Sequence, residues 1–483
     1  MTDLAFLGMA EAAELIRRLE LSPLAYTGAL LDRIARLDGR YHAFIRVTPE
    51  LALAAAREAE RDIAAGGWRG PLHGIPFALK DVIDCAGLPT TAHSRLLVDN
   101  VAAADAAVTA RLKAQGAILL GKLATHEFAI GGPSFDLPWP PAVNPWGGAH
   151  FPGGSSSGSG VALAAGMLPA ALGTDTGGSV RNPASMCAVT GMKPTYGLVS
   201  RRGVFPLAYS LDHVGPMTRN VRDNALLLQA IAGHDAEDPG SARVAVPDYS
   251  AALTAGIKGL KIGLVRHFYC EDMQAHPEQA AAIEAAADAL RRLGAEVREI
   301  RLAPLAEYAV CSRIIIRCEA YAVHRRWLAE RPGDYGDLAR QRILDGATVS
   351  AADYIDAQRL RARLTRRTLQ AFAGLDAALT ASNMDPTCRI DDAEACARLY
   401  PRQARQPFNV TGQPAIALPG GFTRSGLPLS LQLAGHPFEE AMLYRIAHAY
   451  ERATGWTECH PPDLAGQARA ATGGQCSQAS GSG

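Results

Sequence analysis

The stretch from Gly153 to Arg181 reads GGSSSGSGVALAAGMLPAALGTDTGGSVR, and the rest of the chain is organised around it. Ser155 and Ser179 stand near its two ends, each among glycines. Glycine permits positive φ and close approach of other groups, so a serine among glycines is held in place with backbone N–H groups around it. A nucleophile with an oxyanion hole requires this arrangement. A flexible Gly/Ser linker is the alternative, but the apolar run at 161–168 predicts burial, unlike a linker.

The composition is that of a globular enzyme with balanced charge. The 483 residues include 48 Lys+Arg and 48 Asp+Glu, so we expect neither nucleic acid nor an anionic membrane as a partner. No apolar run is long enough for a transmembrane helix, and the N-terminus lacks the order of a signal peptide. The nine cysteines form no CxxC pair. We therefore expect a cytoplasmic protein with free thiols and no metal site.

The alternation of strand and helix patterns indicates an α/β protein. Residues 1–66 read as helices that pack on the main body, and 277–293 reads as an amphipathic helix. The stretch 210–217 reads as a turn between short buried elements. Residues 304–372 read as nearly all helical. Residues 463–483 are expected to form a disordered tail.

Lys80 ends the apolar run of GIPFALKD at 74–81. Burial disfavours the ammonium and lowers the pKa of a lysine, so a buried lysine here would be able to act as a base. The alternative is a surface lysine paired with Asp81. These residues alone favour neither interpretation.

Three other kinds of site fit the residues less well. A Ser-His-Asp hydrolase needs a dedicated histidine, and the candidates His73 and His213 lie in loops where a turn role is commoner. A P-loop is excluded, because the Gly-rich run lacks the Lys-Ser/Thr that holds phosphate and Mg²⁺. A dinucleotide-binding loop fits poorly, because no acidic residue is placed to bind a ribose.

Taken together, GGSSSGSG, GTDTGGSVR and GIPFALKD resemble the motifs of the amidase signature family, in that family's order. The resemblance covers essentially residues 10–460. It implies an α/β fold in which a single large domain, 67–462, has a mixed, mostly central β-sheet covered by helices on both faces. It also implies an amide hydrolase that needs no cofactor and no metal.

The resemblance further implies a Ser–Ser–Lys triad. Ser179 would be the nucleophile, Ser155 the serine that bridges to the base, and Lys80 the base. The peptide bond between Gly154 and Ser155 would be cis. The oxyanion would be held by the backbone N–H groups of Thr176, Gly177, Gly178 and Ser179.

Residues around the triad are expected to support it or to contact substrate. We interpret Asp175 and Arg181 as a structural pair, with substrate contact as the alternative, and Ser156 as a hydrogen-bonding scaffold. Substrate specificity is expected from the helical region 304–372 and from two loops, 134–150 and 380–386. The residues predicted to contact substrate are Phe128, Ile130, Gly131, Gly132, Trp139, Asn383 and Met384.

The reaction expected is hydrolysis of the C–N bond of small, rather apolar amides. The same site would also suit carbamates (urethanes) or esters. A second class is an amidotransferase subunit, in which ammonia from glutamine passes to a charged tRNA. A third class, a non-catalytic binding protein, is disfavoured because Lys80, Ser155 and Ser179 are all present. The sequence does not give the oligomeric state; dimers are common in the family, so the resemblance allows a homodimer.

Overall fold

The sheet is the centre of the molecule. A computed structural model describes residues 4–465 and places eleven strands of that part of the chain in one sheet. In chain order the strands are β1 Phe44–Val47, β2 Pro76–Lys80, β3 Ile118–Leu123, β4 Ala170–Asp175, β5 Thr190–Lys193, β6 His213–Thr218, β7 Lys261–Leu264, β8 Glu296–Glu299, β9 Ala377–Thr380, β10 Ala415–Phe422 and β11 Pro428–Ala434.

The strand order across the sheet is β1-β3-β2-β4-β6-β5-β10-β11-β9-β7-β8. Strand β2 runs parallel to β3 and β4, and β7 runs parallel to β8 and β9, whereas the other neighbouring pairs are antiparallel. Every residue of β2 and β4 is buried, so both faces of the sheet are covered there. The predicted α/β fold with a mixed central sheet is confirmed.

Fifteen α-helices of the described residues surround the sheet. They are α1 Met9–Arg17, α2 Pro23–Tyr41, α3 Pro49–Ala64, α4 Ala107–Ala114, α5 Ser157–Ala164, α6 Arg181–Met186, α7 Val221–Ile231, α8 Pro277–Arg292, α9 Leu305–Glu330, α10 Asp337–Leu344, α11 Ala351–Ala371, α12 Ala393–Leu399, α13 Gln406–Val410, α14 Glu440–Thr454 and α15 Pro462–Ala465. The predicted helix at 277–293 and the helical region 304–372 agree with α8 and with α9 to α11.

The structure corrects two sequence-based predictions. The segment 1–66, predicted as helical, also contains β1, which pairs with β3 at the edge of the sheet. The stretch 210–217, predicted as a turn, is mostly β6, which lies between β4 and β5. Glycine and proline inside a strand weaken its sequence pattern, and Gly215 and Pro216 lie within β6. Pairing on both sides holds β6 as a strand in spite of them.

The C-terminal end of the described part also differs from expectation. Residues 463–465, placed in the predicted tail, belong to α15, and Asp463 lies 2.6 Å from the guanidinium of Arg40. The remainder of that predicted tail lies outside the described residues. Within residues 4–465 no helix has the length and apolarity to cross a membrane.

Two neighbouring parallel strands place the chemistry. Leu79 of β2 pairs with Leu172 of β4, so both strands end at the same edge of the sheet. The last residue of β2 is Lys80, and the last residue of β4 is Asp175. The two serine-containing loops meet at this edge, one before α5 and one between β4 and α6.

Candidate active site

Lys80 is buried at the end of β2, with none of its surface exposed. Its Nζ lies 2.7 Å from Ser155 Oγ and 2.7 Å from Thr174 Oγ1. Burial lowers the pKa of Lys80 to about 7. The charges of Asp175 and Asp212 raise this pKa, but their effect is smaller than that of burial. A large fraction of Lys80 is therefore neutral near pH 7, with a lone pair next to a serine hydroxyl.

The alternative for Lys80, a surface pair with Asp81, is wrong. Asp81 is itself buried, and its carboxylate lies 2.8 Å from the Nζ of Lys122 on β3. The neighbouring carboxylate thus has a different lysine as its counter-ion.

Ser155 is completely buried and follows a cis peptide bond. The bond joins it to Gly154, in agreement with the prediction. Gly154 leaves no room for a side chain, since a Cβ there would overlap the ring of His126. The backbone N–H of His126 donates to the carbonyl of Ser155 at 3.1 Å. The surroundings thus fix the backbone of Ser155 on both sides.

Ser179 lies beside this segment and reaches the surface. The backbone N–H of Ser156 donates to the carbonyl of Ser179 at 3.2 Å, which brings the two serine loops together. Ser179 is 5% exposed and lines a groove, whereas Lys80 and Ser155 are fully buried. The Oγ of Ser156 bonds to both the N–H and the carbonyl of Thr174, at 3.2 Å each. Depth below the surface therefore increases from Ser179 to Ser155 and Lys80.

A buried ion pair holds the loop that carries Ser179. Arg181 donates from Nε and from one terminal nitrogen to the two carboxylate oxygens of Asp175, at 3.0 Å each. The Nδ2 of Asn409 donates to the same carboxylate at 2.7 Å. Burial opposes ionisation of Asp175, but the charge and hydrogen bonds of Arg181 hold its pKa well below the ordinary range. These contacts match the structural pairing expected from the sequence.

The four predicted oxyanion donors differ in their surroundings. The N–H of Gly178 donates to Asp175 Oδ1 at 2.8 Å, so it is engaged inside the loop. Among the described residues the N–H groups of Thr176, Gly177 and Ser179 have no hydrogen-bond acceptor. The hydroxyl of Thr176 donates to Asp212 at 2.6 Å. Three of the four predicted N–H groups, those of Thr176, Gly177 and Ser179, are therefore free to bind a ligand oxygen.

A groove of about 340 Å³ opens over this loop, which forms one wall with Thr176, Gly177 and Ser179. Apolar side chains form part of the rest, among them Ile130, Leu207 and Ile316, together with the half-exposed ring of Tyr400. Pockets of this size suit small ligands.

Three arginines also line the groove, Arg313 and Arg317 on α9 and Arg342 on α10. No Asp or Glu lines the groove anywhere in residues 4–465. The groove is therefore more basic than the rather apolar substrate expected from the sequence would need.

The seven residues predicted to contact substrate separate into two groups. Ile130 and Gly131 line the groove next to Ser179. The other five do not line it. Phe128 is buried against Phe205 and His324, and Met384 is also buried in the core. Gly132, Trp139 and Asn383 are the other three residues that do not line the groove.

The sequence interpretation missed several residues of the site. Thr174, the second partner of Lys80, was quoted within a motif but given no role. Asn409 on α13 contacts the Asp175 carboxylate from a distant part of the chain. The three groove arginines were not among the residues predicted to contact substrate. The contact of Thr174 with Lys80 could have been predicted, because Thr174 lies one residue before the end of β4, which runs parallel to β2.

Comparison with known proteins agrees with this geometry. The Amidase family model matches residues 25–444, and the chain belongs to the amidase signature family. The A subunit of the glutamyl-tRNA(Gln) amidotransferase from Geobacter metallireducens is 42% identical over 94% of this chain and 98% of its own length.

Two solved structures are similar over nearly their whole length. Peptide amidase from Stenotrophomonas maltophilia has a TM-score of 0.83 and 33% identity, covering 94% of this chain and 98% of that chain. A chain from a vestigial protein complex, described as revealing the evolutionary origins of an s-triazine catabolic enzyme, has a TM-score of 0.87 and 32% identity, covering 92% of this chain and 98% of that chain. The protein is thus a hydrolase of C–N bonds in the amidase signature family.

Proposed function

We propose that this protein hydrolyses linear amides through an acyl-enzyme on Ser179. The observation that carries the proposal is the 2.7 Å distance between Lys80 Nζ and Ser155 Oγ at a fully buried lysine. A lysine with a pKa of about 7 is a suitable base at neutral pH. Of the three triad residues, Ser179 is the one that lines the groove and so lies in reach of a ligand.

The relay begins when a carbonyl carbon lies against Ser179 Oγ. Ser155 takes the proton of Ser179 and passes its own proton to the lone pair of Lys80. The Ser179 oxygen forms a bond to the carbonyl carbon, and the carbonyl oxygen becomes an oxyanion. The free N–H groups of Thr176, Gly177 and Ser179 are the candidate donors for it, and loss of one such donor typically costs roughly 10²–10³ in rate.

Collapse of this intermediate requires a proton on the leaving nitrogen. Lys80 returns its proton through Ser155 to the amine, the C–N bond breaks, and Ser179 stays acylated. Water then attacks the acyl group by the same relay and releases the acid. Each step moves one proton between groups of this chain, the substrate and water.

A fluorophosphonate probe tests the nucleophile. We expect the wild-type protein to be labelled at Ser179 and the Ser179→Ala variant to be unlabelled and inactive on anilides. Ser159→Ala is the matched control, because Ser159 is a buried serine whose Oγ donates to Leu172 on β4, away from the groove. Labelling that persists in Ser179→Ala would contradict the assignment.

A substrate panel tests the bond that is cleaved. Aryl amides, aryl carbamates and esters that carry the same aryl group are compared by kcat/KM. We expect amides to be cleaved. Turnover of esters or carbamates with none of the amides would replace amidase by ester or carbamate hydrolase as the function.

A second candidate function comes from the 42% identical relative, which is part of an amidotransferase. In this candidate, the protein would hydrolyse glutamine within a larger assembly. The groove argues against it, because the α-ammonium of glutamine would face three arginines and no acid. Ammonia release from glutamine by the purified chain, at a rate similar to its best amide, would favour this candidate.

A further inference from the structure

We infer that the substrate carries a carboxylate, which Arg313 binds with Arg317 beside it; this rests on the proposed function of the groove. The inference comes from the position and the partners of the groove arginines. It names a substrate class, an amide with an anionic group and no neighbouring ammonium.

Helix α9 lies directly over the nucleophile loop. A Cβ built on Gly177 would lie 3.6 Å from Ile316 Cδ1, which places this turn of α9 against the loop before Ser179. Arg313 lies about one turn before Ile316, and Arg317 is four residues after Arg313. Residues at these spacings share one face of a helix. All three side chains line the groove.

The positive charges of the groove are only partly compensated. Arg317 lies 2.7 Å from Asp345, and Arg342 donates to the carbonyl of Gly131. Arg313 has neither an ion-pair nor a hydrogen-bond partner among the described residues, and its side chain is exposed. Like charges four residues apart on a helix repel each other. An anion in the groove would relieve this repulsion.

A carboxylate matches the donor geometry of an arginine side chain. The planar guanidinium of arginine binds a carboxylate through two parallel N–H donors. Apolar groups such as Ile130 and Leu207 line the same groove and suit a short carbon chain between the carboxylate and the scissile amide. A cleft of one charge sign with apolar walls concentrates ligands of opposite charge.

Two matched pairs of anilides test the inference. Glutaryl-4-nitroanilide and pentanoyl-4-nitroanilide differ in charge on the acyl side. 4-Acetamidobenzoate and acetanilide differ in charge on the amine side. We expect the anionic member of at least one pair to be favoured by about tenfold or more in kcat/KM. Raising NaCl from about 0.05 M to about 0.5 M should reduce this preference, since salt screens exposed charges.

Variants of Arg313 identify the residue responsible. In Arg313→Gln we expect the anionic-to-neutral ratio of kcat/KM to fall about tenfold, whereas Arg313→Lys should retain part of it. Arg325→Gln is the control, because Arg325 is exposed on the same helix and does not line the groove. It should leave the ratio unchanged.

The outcomes separate this inference from the proposed function. If the neutral and anionic members have equal kcat/KM in both pairs, the inference of a carboxylate-bearing substrate is overturned, and the proposed function is not. An unchanged ratio in Arg313→Gln would overturn the same inference. Absence of both Ser179 labelling and C–N cleavage would instead overturn the proposed function.

Discussion

Asp175 and Arg181 form a bidentate ion pair with both side chains fully buried, at 3.0 Å for each of its two contacts. The pair joins the end of β4 to the start of α6, with Ser179 between them. The loop that carries Ser179 is therefore held by its own flanking residues.

Breaking this pair should destabilise the protein. Asp175→Asn leaves the Arg181 charge buried without its counter-ion, so we expect the free energy of unfolding to fall by about 3–5 kcal/mol in urea titrations. Glu14→Gln is the control, since Glu14 forms exposed ion pairs with Arg17 and Arg18 and should change stability by under about 1 kcal/mol. A loss within about 1 kcal/mol in Asp175→Asn would refute the structural role.

The activity should depend on pH through Lys80. Burial lowers the pKa of Lys80 to about 7, so protonation removes the base as the pH falls through that value. We expect kcat/KM for a neutral anilide to be level above this pKa and to fall about tenfold per pH unit well below it. The measurement is a profile from about pH 5 to about pH 9. A level profile down to pH ~5 would contradict a lysine base.

Thr174 should tune this base. Its Oγ1 accepts from Lys80 and so favours the ammonium form. In Thr174→Val we expect kcat/KM to fall about tenfold, because Lys80 loses a positioning contact, and the acid limb of the profile to move to lower pH.

A buried threonine elsewhere provides the comparison for Thr174. The hydroxyl of Thr190 is buried and has no partner among the described residues, so Thr190→Val should preserve both rate and profile. An acid limb that moves to higher pH in Thr174→Val would oppose this role.

The neighbouring glycines Gly177 and Gly178, in the loop that carries Ser179, should differ in how well they tolerate a side chain. Gly178 has φ +122°, and a Cβ there would overlap Arg405, so we expect Gly178→Ala to lose about 1–3 kcal/mol of stability and its fluorophosphonate labelling. A Cβ on Gly177 would lie 3.6 Å from its nearest neighbour, Ile316 Cδ1, so Gly177→Ala should fold with a stability close to wild type. Equal melting temperatures for the two variants would show that the loop adapts.

Much of the fold was predictable because the signals of a helix lie within its own residues. Helix α8 and the region of α9 to α11 follow from apolar periodicity and end signals. Strand β6 was missed because its glycine and proline weaken the pattern of a strand that its two neighbours hold in place. The hydrogen bonds of a strand come from elsewhere in the chain, so its own residues carry less of the signal.

The groove was predicted only in part, because it is built from remote segments. Ile130 and Gly131, two of the residues predicted to contact substrate, line the groove with Ser179, whereas Phe128, two residues before Ile130, is buried in the core. Arg313 and Tyr400 reach the groove from α9 and from the end of α12. No local pattern shows that an arginine on a helix faces a cleft rather than open solvent.

The sequence by itself determined the residues available for chemistry, because glycine, serine and lysine occur in motifs whose backbone demands are local. It did not determine the state of Lys80, which depends on burial by strands far apart in the chain and on the oxygens of Ser155 and Thr174. Only the tertiary structure removed that lysine from water, and desolvation is the physical reason that its pKa falls to about 7.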